Sequence, residues 1–230
     1  MFVGGCVRKY ILNEKIDDID IATTLTPNEI IKRFENSDVK VKETGIEHGT
    51  LTLVFEDQKF EVTTLRQDIS TDGSHANIEF TENWKEDSKR RDFTINAIYL
   101  DQKGKIFDPQ LGSKDLKNDK VQFIGDPDKR IKEDYLRILR FLRFSIQYGS
   151  FDINDQIQKA IKLNLNGITK LSKERIYSEL EKIIKLKNFY DLFKNKFLLD
   201  IFRLVFPEFI HLDRVKKFQK LLQASILLNY

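Results

Sequence analysis

Cysteine and histidine are scarce in this sequence, which has one cysteine and three histidines among 230 residues. The single thiol, Cys6, has no partner for a disulfide within the chain. His48, His75 and His211 are widely separated, and no group of cysteines and histidines has the spacing of zinc ligands. The sequence therefore does not predict a zinc site. Catalysis by a serine–histidine or cysteine–histidine pair would depend on contacts that only the fold could create.

Long apolar runs are also missing. No uninterrupted apolar segment approaches the roughly 20 residues that a membrane-spanning helix needs. The apolar stretch at Phe2-Val3 stops at Gly4-Gly5, which is too soon for a signal peptide. We therefore expect a cytoplasmic protein with no membrane partner.

Neither sign of charge is in large excess, because 39 basic residues are balanced by 36 acidic ones and the net charge is +3. Bulk charge thus gives no indication of a nucleic-acid partner, and such evidence must come from local clusters. With 40% hydrophobic residues, the chain is long enough to bury a core and to form two modules.

The apolar pattern indicates strands first and helices afterwards. Thr50–Phe55 and residues 59–65 alternate at period two and predict a hairpin. Residues 67–88 are largely polar and predict a long exposed loop. Beyond about Lys120 the pattern becomes helical, most clearly at residues 129–148 and 172–187. This order predicts an α+β fold.

Asp18 and Asp20 are the most distinctive chemical feature. In a strand, alternate residues point to the same face, so these carboxylates project together from Cα atoms ~6.5 Å apart. A pair of magnesium ions about 4 Å apart, bridging carboxylates and phosphates, would neutralise them. Glu61 is a candidate third member, because its apolar neighbours point the opposite way. A solvated acidic edge is the commoner reason for such a doublet, and this alternative stays open.

Groups suited to a triphosphate occur twice before residue 100. Gly4-Gly5 lies between a short strand and a helix start, where backbone amides and the helix dipole favour phosphate, and Arg8 follows one turn later. In Arg90-Arg91-Asp92, the aspartate can fix one guanidinium and leave the other for a triphosphate. An ordinary strand-to-helix turn and a solvated double arginine are the alternatives.

The segment 133–143 combines a carboxylate with arginines. In one continuous helix, Asp134, Arg137 and Arg140 would lie within an arc of about 120°, with Arg143 at its border. Acceptors and donors on one face can discriminate the edges of nucleotide bases. A salt-bridged helix surface is the commoner meaning of this pattern.

In this order the segments resemble the motifs of the bacterial class II tRNA nucleotidyltransferase and poly(A) polymerase family. The resemblance runs from residue 2 to about residue 185. The segments that carry it are Gly4-Gly5-Cys6-Val7-Arg8, Asp18-Ile19-Asp20-Ile21-Ala22-Thr23, Arg90-Arg91-Asp92-Phe93-Thr94-Ile95-Asn96-Ala97, Asp108-Pro109-Gln110-Leu111-Gly112-Ser113-Lys114-Asp115-Leu116, residues 133–143, and Glu174-Arg175-Ile176-Tyr177-Ser178-Glu179-Leu180.

The resemblance implies a polymerase-β-like head with a small mixed sheet at residues 1–118, an all-helical neck at 119–185 and a partial helical body at 186–230. It implies template-independent addition of C and A to the 3′ end of tRNA, with CTP and ATP as substrates and without DNA as a partner. Asp18 and Asp20 would bind Mg²⁺ with support from Glu61. The implied nucleotide-binding residues are Gly5, Arg8 and Arg91 for the triphosphate, Asp134 and Arg137 for the base edge, and Arg140 and Arg143 for the rest of the pocket.

The chain departs from the family pattern in three places. Lys9 stands where an aspartate usually follows the motif arginine, and Ser74 stands where an arginine usually follows Gly73. Family members are also much longer, so we expect either a fragment or a protein that holds tRNA with far less surface. Addition of CC alone, addition of A alone, poly(A) synthesis, and an inactive protein that only binds RNA or nucleotide remain as alternatives. A retained loop at residues 67–88 favours full CCA addition.

Overall fold

The computed structural model describes residues 1–72, 75–149 and 151–209, and for residues 68–72 and 75–77 it describes the backbone alone. Strands dominate the first half of the chain and helices the second, so the predicted α+β fold class is confirmed. In these described ranges, no helix is both long and apolar enough to cross a membrane.

Seven strands form one mixed sheet in the order β3-β4-β5-β2-β1-β8-β9, and two more strands pair as a separate hairpin. Strands β2 and β5 run parallel, which places Asp20 directly beside Glu61. The other neighbours in the sheet are antiparallel. The strands are β1 (Phe2–Val3), β2 (Ile19–Thr23), β3 (Lys40–Gly45), β4 (Thr50–Phe55), β5 (Gln58–Thr64), β6 (Arg66–Asp72), β7 (His75–Phe80), β8 (Tyr99–Leu100) and β9 (Ile106–Phe107).

Helices are interspersed with the strands up to β9 and follow one another afterwards. Asn and Ser side chains cap several of them by accepting a hydrogen bond from a backbone amide of the first turn. The helices are α1 (Gly5–Ile11), α2 (Pro27–Phe34), α3 (Trp84–Arg90), α4 (Gly112–Lys117), α5 (Pro127–Glu133), α6 (Leu136–Tyr148), α7 (Asp155–Asn164), α8 (Lys173–Ile184) and α9 (Lys196–Val205).

Helix α2 covers one face of the sheet. Thr26 caps it, since the Thr26 amide donates to the Glu29 carboxylate at 2.7 Å while the Thr26 hydroxyl accepts from the Glu29 amide. Ile30 on the next turn is buried against Val62 of β5. Because side chains alternate along a strand, Glu61 points to the opposite face.

The largest hydrophobic core joins the sheet to the later helices. The ring centroids of Phe93, which precedes β8, and Phe123 are 4.8 Å apart. Phe123 in turn stacks on Phe141 of α6, with centroids 5.7 Å apart. Leu142 on the same helix is fully buried in this core. Helix α6 is therefore fixed against the sheet half by aromatic packing.

Residues 67–88 do not form a long loop, so that prediction is wrong. They contain most of the hairpin of β6 and β7 and most of α3. The hairpin is antiparallel, with Arg66 opposite Phe80 and Asp72 opposite His75. Backbone groups make the hydrogen bonds of a hairpin, so a strand can form without the apolar alternation that reveals a half-buried one. The departure at Ser74 lies outside the described residues.

Residues 129–148 do not form one helix either. The chain turns a corner at Asp134, which is extended (φ −155°, ψ 107°) and accepts a hydrogen bond from the Leu136 amide at 3.1 Å. An aspartate that bonds to a nearby amide offers the backbone an alternative to the helix. The next residue, Tyr135, packs on Gly167, where an added Cβ would come within 2.1 Å of the tyrosine ring. The apolar pattern continues through the corner and conceals it.

The core between sheet and helices predicts a large effect of Leu142→Ala. The substitution should lower the free energy of unfolding by about 2–5 kcal/mol, because it removes a fully buried side chain. Urea denaturation measures the change. The matched control is Leu163→Ala, since that side chain is 69% exposed, and its effect should stay within about 0.5 kcal/mol. Equal small losses in both variants would contradict a shared core.

Candidate active site

A cleft of about 740 Å³ opens where α1, β2 and the corner between α5 and α6 meet, a size typical of ligand sites. Nine basic and four acidic side chains line it, so it favours an anion. Apart from Glu61, every residue that the sequence implied for metal or nucleotide binding lies in this cleft. The lining comprises Gly4, Gly5, Arg8, Asp18, Asp20, Arg66, Arg90, Arg91, Asp92, Asn96, Asp134, Leu136, Arg137, Arg140, Arg143, Phe144, Arg175 and Lys182.

The two carboxylates of the doublet stand at one side of the cleft. Asp20 is partly buried in β2, and Asp18 is exposed one residue before the strand begins. Burial raises the pKa of Asp20 above its ordinary value, and the neighbouring charges of Glu61 and Asp18 raise it further while Arg91 opposes them. Negative charge therefore accumulates here beyond what the nearby arginine offsets.

A divalent cation fits this donor set. No complete site of three or more His, Cys, Asp or Glu side chains exists within the described parts of the chain. Magnesium is commonly held by one or two carboxylates together with substrate phosphates, so the pair suffices when a triphosphate supplies the remaining oxygens. Glu61 lies beside Asp20 but outside the cleft. It is on the face of the sheet opposite helix α2, which we call the open face.

The turn into α1 brings the backbone close to the carboxylates. Gly4 has φ 72°, a left-handed conformation that favours glycine, and an added Cβ would lie 3.8 Å from an Asp20 oxygen. The Gly4 amide donates to the Ile98 carbonyl at 3.3 Å, so the prediction that the backbone amides of Gly4-Gly5 favour phosphate is wrong for Gly4. Gly5, the first residue of α1, lines the cleft.

Arg8 is buried behind this turn and held by the segment before β8. Its guanidinium donates to the Ile95 carbonyl at 3.3 Å and to the Asn96 side chain. Its carbon lies 5.1 Å from the centroid of the Phe144 ring, within cation–π range. Lys9, which stands where the family carries an aspartate, instead pairs with Asp17. Asn96 and a backbone carbonyl thus orient the arginine.

The double arginine is fixed by a residue that the sequence reasoning missed. Asp87 is completely buried, and it accepts from Arg90 at 2.8 Å, from Arg91 at 3.1 Å and from the Tyr99 hydroxyl at 2.7 Å. Burial alone would raise the pKa of Asp87, but the two arginines hold it below its ordinary value. The prediction that Asp92 fixes one of the pair is wrong. The sequence does hold a signal for this pairing, because residues three and four positions after Asp87 are its neighbours on a helix.

Asp92 holds Arg140 of α6 instead. Their ion pair is 2.6 Å long, and Asp92 also accepts from the Asn96 amide nitrogen at 2.6 Å and from the Phe93 amide at 2.9 Å. Burial opposes its ionisation, yet Arg140 and these hydrogen bonds lower the pKa of Asp92 from 3.8 to about 2. One carboxylate therefore couples the sheet half to the helix.

The corner between α5 and α6 places Asp134 before helix α6 and the arginines on it. Asp134 accepts from Arg175 at 2.8 Å, whereas Arg137 donates to Glu133 at 2.6 Å. The prediction that Asp134 shares one helical face with Arg137 and Arg140 is therefore wrong, because Asp134 precedes α6. All three nevertheless line the same cleft.

Arg143, one turn after Arg140, is positioned by a buried glutamate. It donates to Glu179 of α8 at 2.5 Å, and Glu179 is only 2% exposed. The guanidinium carbon lies 4.1 Å from the centroid of the Phe144 ring. Although Glu179 belongs to the last family-like segment, its partner lies 36 residues away, and nothing in the local sequence indicates the pairing.

Comparison with known proteins gives two matching family models. Residues 1–122 match the poly(A) polymerase head domain. Residues 150–212 match the probable RNA- and SrmB-binding site of polymerase A. The cleft is lined by residues from both matched regions, together with the α5–α6 residues between them.

Curated relatives include the human mitochondrial CCA tRNA nucleotidyltransferase 1, which is 44% identical over 187 residues, covering 79% of this chain and 42% of the relative. The CCA-adding enzyme of Staphylococcus haemolyticus is 41% identical over 214 residues, covering 92% and 52%. The chain thus spans about half the length of the curated relatives that it matches.

Solved structures of similar fold include the CCA-adding enzyme of Bacillus stearothermophilus in complex with CTP. Its TM-score is 0.74 at 32% identity, covering 87% of this chain and 46% of that one. A tRNA nucleotidyltransferase complexed with a primer tRNA and an incoming ATP analogue has a TM-score of 0.68 at 26% identity, covering 91% and 58%.

The lowered pKa of Asp92 predicts a pH-dependent contribution to stability. The contribution of its charged form is fully present above pH 3.8 and is lost as the pH falls through about 2. Asp92→Asn removes this dependence, so the stability difference between wild type and variant should shrink by about 2 kcal/mol over that range. Urea midpoints between pH 5 and pH 2 would measure it, with the exposed Asp57→Asn as control. A difference that stays constant with pH would contradict the prediction.

Proposed function

The chain belongs to the family of the poly(A) polymerase head domain, and on this premise we propose that it adds C and A nucleotides from CTP and ATP to the 3′ end of tRNA without a template. The observation that carries the proposal is the cleft in which Asp18 and Asp20 lie among nine basic side chains. The names of the relatives, which are CCA-adding enzymes and tRNA nucleotidyltransferases, support it.

The triphosphate would lie against the arginines near the carboxylates. Arg91 is anchored by Asp87, and Arg8 by Asn96, so neither side chain has to be ordered when the nucleotide arrives. Gly5 allows a phosphate to approach the start of α1. In the reaction, the terminal 3′-oxygen of the RNA attacks the α-phosphorus, the bond to the bridging oxygen breaks, and pyrophosphate leaves.

A pair of Mg²⁺ ions is the metal content that we propose for this site, with Asp18 and Asp20 as the protein ligands. When bound, the two ions would supply Lewis-acid stabilisation of the phosphates and lower the pKa of the attacking hydroxyl. Glu61 adds negative charge beside Asp20 and so favours cation binding. The arginines that hold the triphosphate would also stabilise the charge on the departing pyrophosphate.

Base selection is the role proposed for Asp134 and Arg137. Asp134 pairs with Arg175 and Arg137 with Glu133, so each charged group has a partner in the absence of a nucleotide. A cytosine or adenine edge exchanges hydrogen bonds with these groups when the nucleotide enters. Arg140 and Arg143 form the wall behind the base and sugar.

The domain division and location follow from the same proposal. We place the catalytic head at residues 1–118, the helical neck at 119–185 and part of the body from residue 186. The cytoplasmic location stays a prediction.

Asp20→Ala should reduce nucleotide incorporation by about 1,000-fold or more, equivalent to about 4 kcal/mol, because it removes a proposed metal ligand. The assay combines the protein with a tRNA that ends at the discriminator base, magnesium, and labelled CTP or ATP. Asp57→Ala, a carboxylate exposed in the turn between β4 and β5, is the control. Retained incorporation in Asp20→Ala would exclude the metal assignment. The products also separate addition of CC, of A alone, of CCA and of a long A tract.

Asp134→Ala should weaken the choice between CTP and ATP before it weakens CTP binding. The ratio of the two kcat/KM values should fall by about tenfold or more, the usual value of a good base contact. Asp134→Asn keeps an acceptor for the Leu136 amide and therefore separates base reading from capping of α6. Asp152→Ala, an exposed carboxylate before α7, is the control. Unchanged selectivity in both Asp134 variants would remove the base-reading role.

A further inference from the structure

A second cleft opens onto the same carboxylates from the open face of the sheet. It has a volume of about 570 Å³ and is lined by Asp18, Asp20 and Glu61 together with residues of β3, β4 and β5. No arginine lines it among the described residues, although arginines dominate the first cleft. The carboxylates therefore stand between two clefts of different chemistry.

One row of side chains leads across this face to the carboxylates. Asp20 pairs with Glu61, Glu61 with Thr52, and Thr52 with Lys42, and paired residues point to the same face. Neighbouring strands lie about 4.8 Å apart, which puts Lys42 about 14 Å from Asp20 along the row. Lys59 precedes Glu61 by two residues on β5 and shares the face.

The charges on this face are available to a ligand. Lys42 and Lys59 are exposed, and in the described part of the chain neither makes an ion pair. Arg140 and Arg143 of the first cleft, by contrast, each hold a carboxylate. Thr44 and Thr52 add two hydroxyl groups, 2.7 Å apart, beside Lys42. Two separated cations with hydroxyl groups nearby match a phosphodiester backbone.

We propose that the open face of the sheet binds the 3′-terminal strand of the RNA acceptor, with Lys42 and Lys59 contacting its backbone phosphates and its terminal hydroxyl at Asp18 and Asp20. This assignment rests on the proposed function, in which two substrates meet at one pair of carboxylates. The triphosphate, with several charges on one group, matches the arginine cleft. An RNA strand carries one negative charge per nucleotide, and these separated charges match two lysines that lie apart from each other. Helix α2 packs on the other face of the sheet and leaves this face open to the RNA strand.

The double variant Lys42→Ala/Lys59→Ala tests the assignment. With the tRNA that ends at the discriminator base, KM for RNA should rise on the order of tenfold, and the slope of log affinity against log salt should shrink by about 1.4, because two contacts to single-stranded phosphates are lost. KM for CTP, and kcat at saturating RNA, should stay at the wild-type values. Fluorescence anisotropy of the same RNA, without nucleotide, measures affinity independently of turnover.

The matched control removes two charges from the covered side of the sheet. Lys32→Ala/Arg33→Ala alters two exposed basic residues of α2, and it should leave RNA affinity and its salt dependence unchanged. Unchanged RNA affinity in the Lys42/Lys59 variant would overturn the assignment of this face to RNA while leaving the proposed function intact. An equal rise in KM for CTP would overturn it as well, because the face would then belong to the nucleotide. A wild-type chain that adds no nucleotide would overturn the proposed function, and the anisotropy measurement would still decide whether this face binds RNA.

Discussion

Buried carboxylates beside arginines are the constraint on which the cleft depends. Asp87 is fully buried and Asp92 is 8% exposed, so neither can be ionised without a cation in contact. Removing one partner of such a pair typically costs about 3–5 kcal/mol, because the other charge stays buried and unpaired. The fold therefore fixes Arg91 and Arg140 at the cleft wall as a condition of its own stability. The arginines are in position without a bound anion, which is what electrostatic preorganisation for the proposed nucleotide requires.

The same constraint explains how the two halves of the chain form one site. Arg140 and Arg143 lie on α6, but their partners come from the segment before β8 and from α8. The aromatic core of Phe93, Phe123 and Phe141 sets the distance between these elements. Packing brings the helix to the sheet, and the ion pairs then fix the direction of each guanidinium. Either contribution alone would fix Arg140 and Arg143 less firmly relative to the carboxylates.

Much of the site could be predicted from the sequence because its chemistry lies in short segments. Spacing made the Asp18–Asp20 doublet and the arginines of α6 candidates, the family resemblance gave them their expected roles, and they line the cleft. Asp87 was within reach of the same reasoning, since it pairs at helical spacing. Glu179 was not, because its partner is distant in sequence and burial gives it its role. The corner at Asp134 was also beyond the sequence, since a side-chain hydrogen bond and the close approach of Tyr135 to Gly167 interrupt a continuous apolar pattern.

The contrast between the two clefts fits the different demands of their proposed ligands. An incoming nucleotide must sit in one geometry, and arginines held by buried carboxylates offer fixed, planar donors. An acceptor strand grows by one nucleotide at each addition, so its phosphates must shift while its new end returns to the same place. Lysines such as Lys42 and Lys59 present mobile point charges on flexible stems, which can follow a shifting phosphate without a rigid register. Asp18 and Asp20 belong to both clefts, so in the proposed reaction the growing end would meet each nucleotide at the same carboxylates.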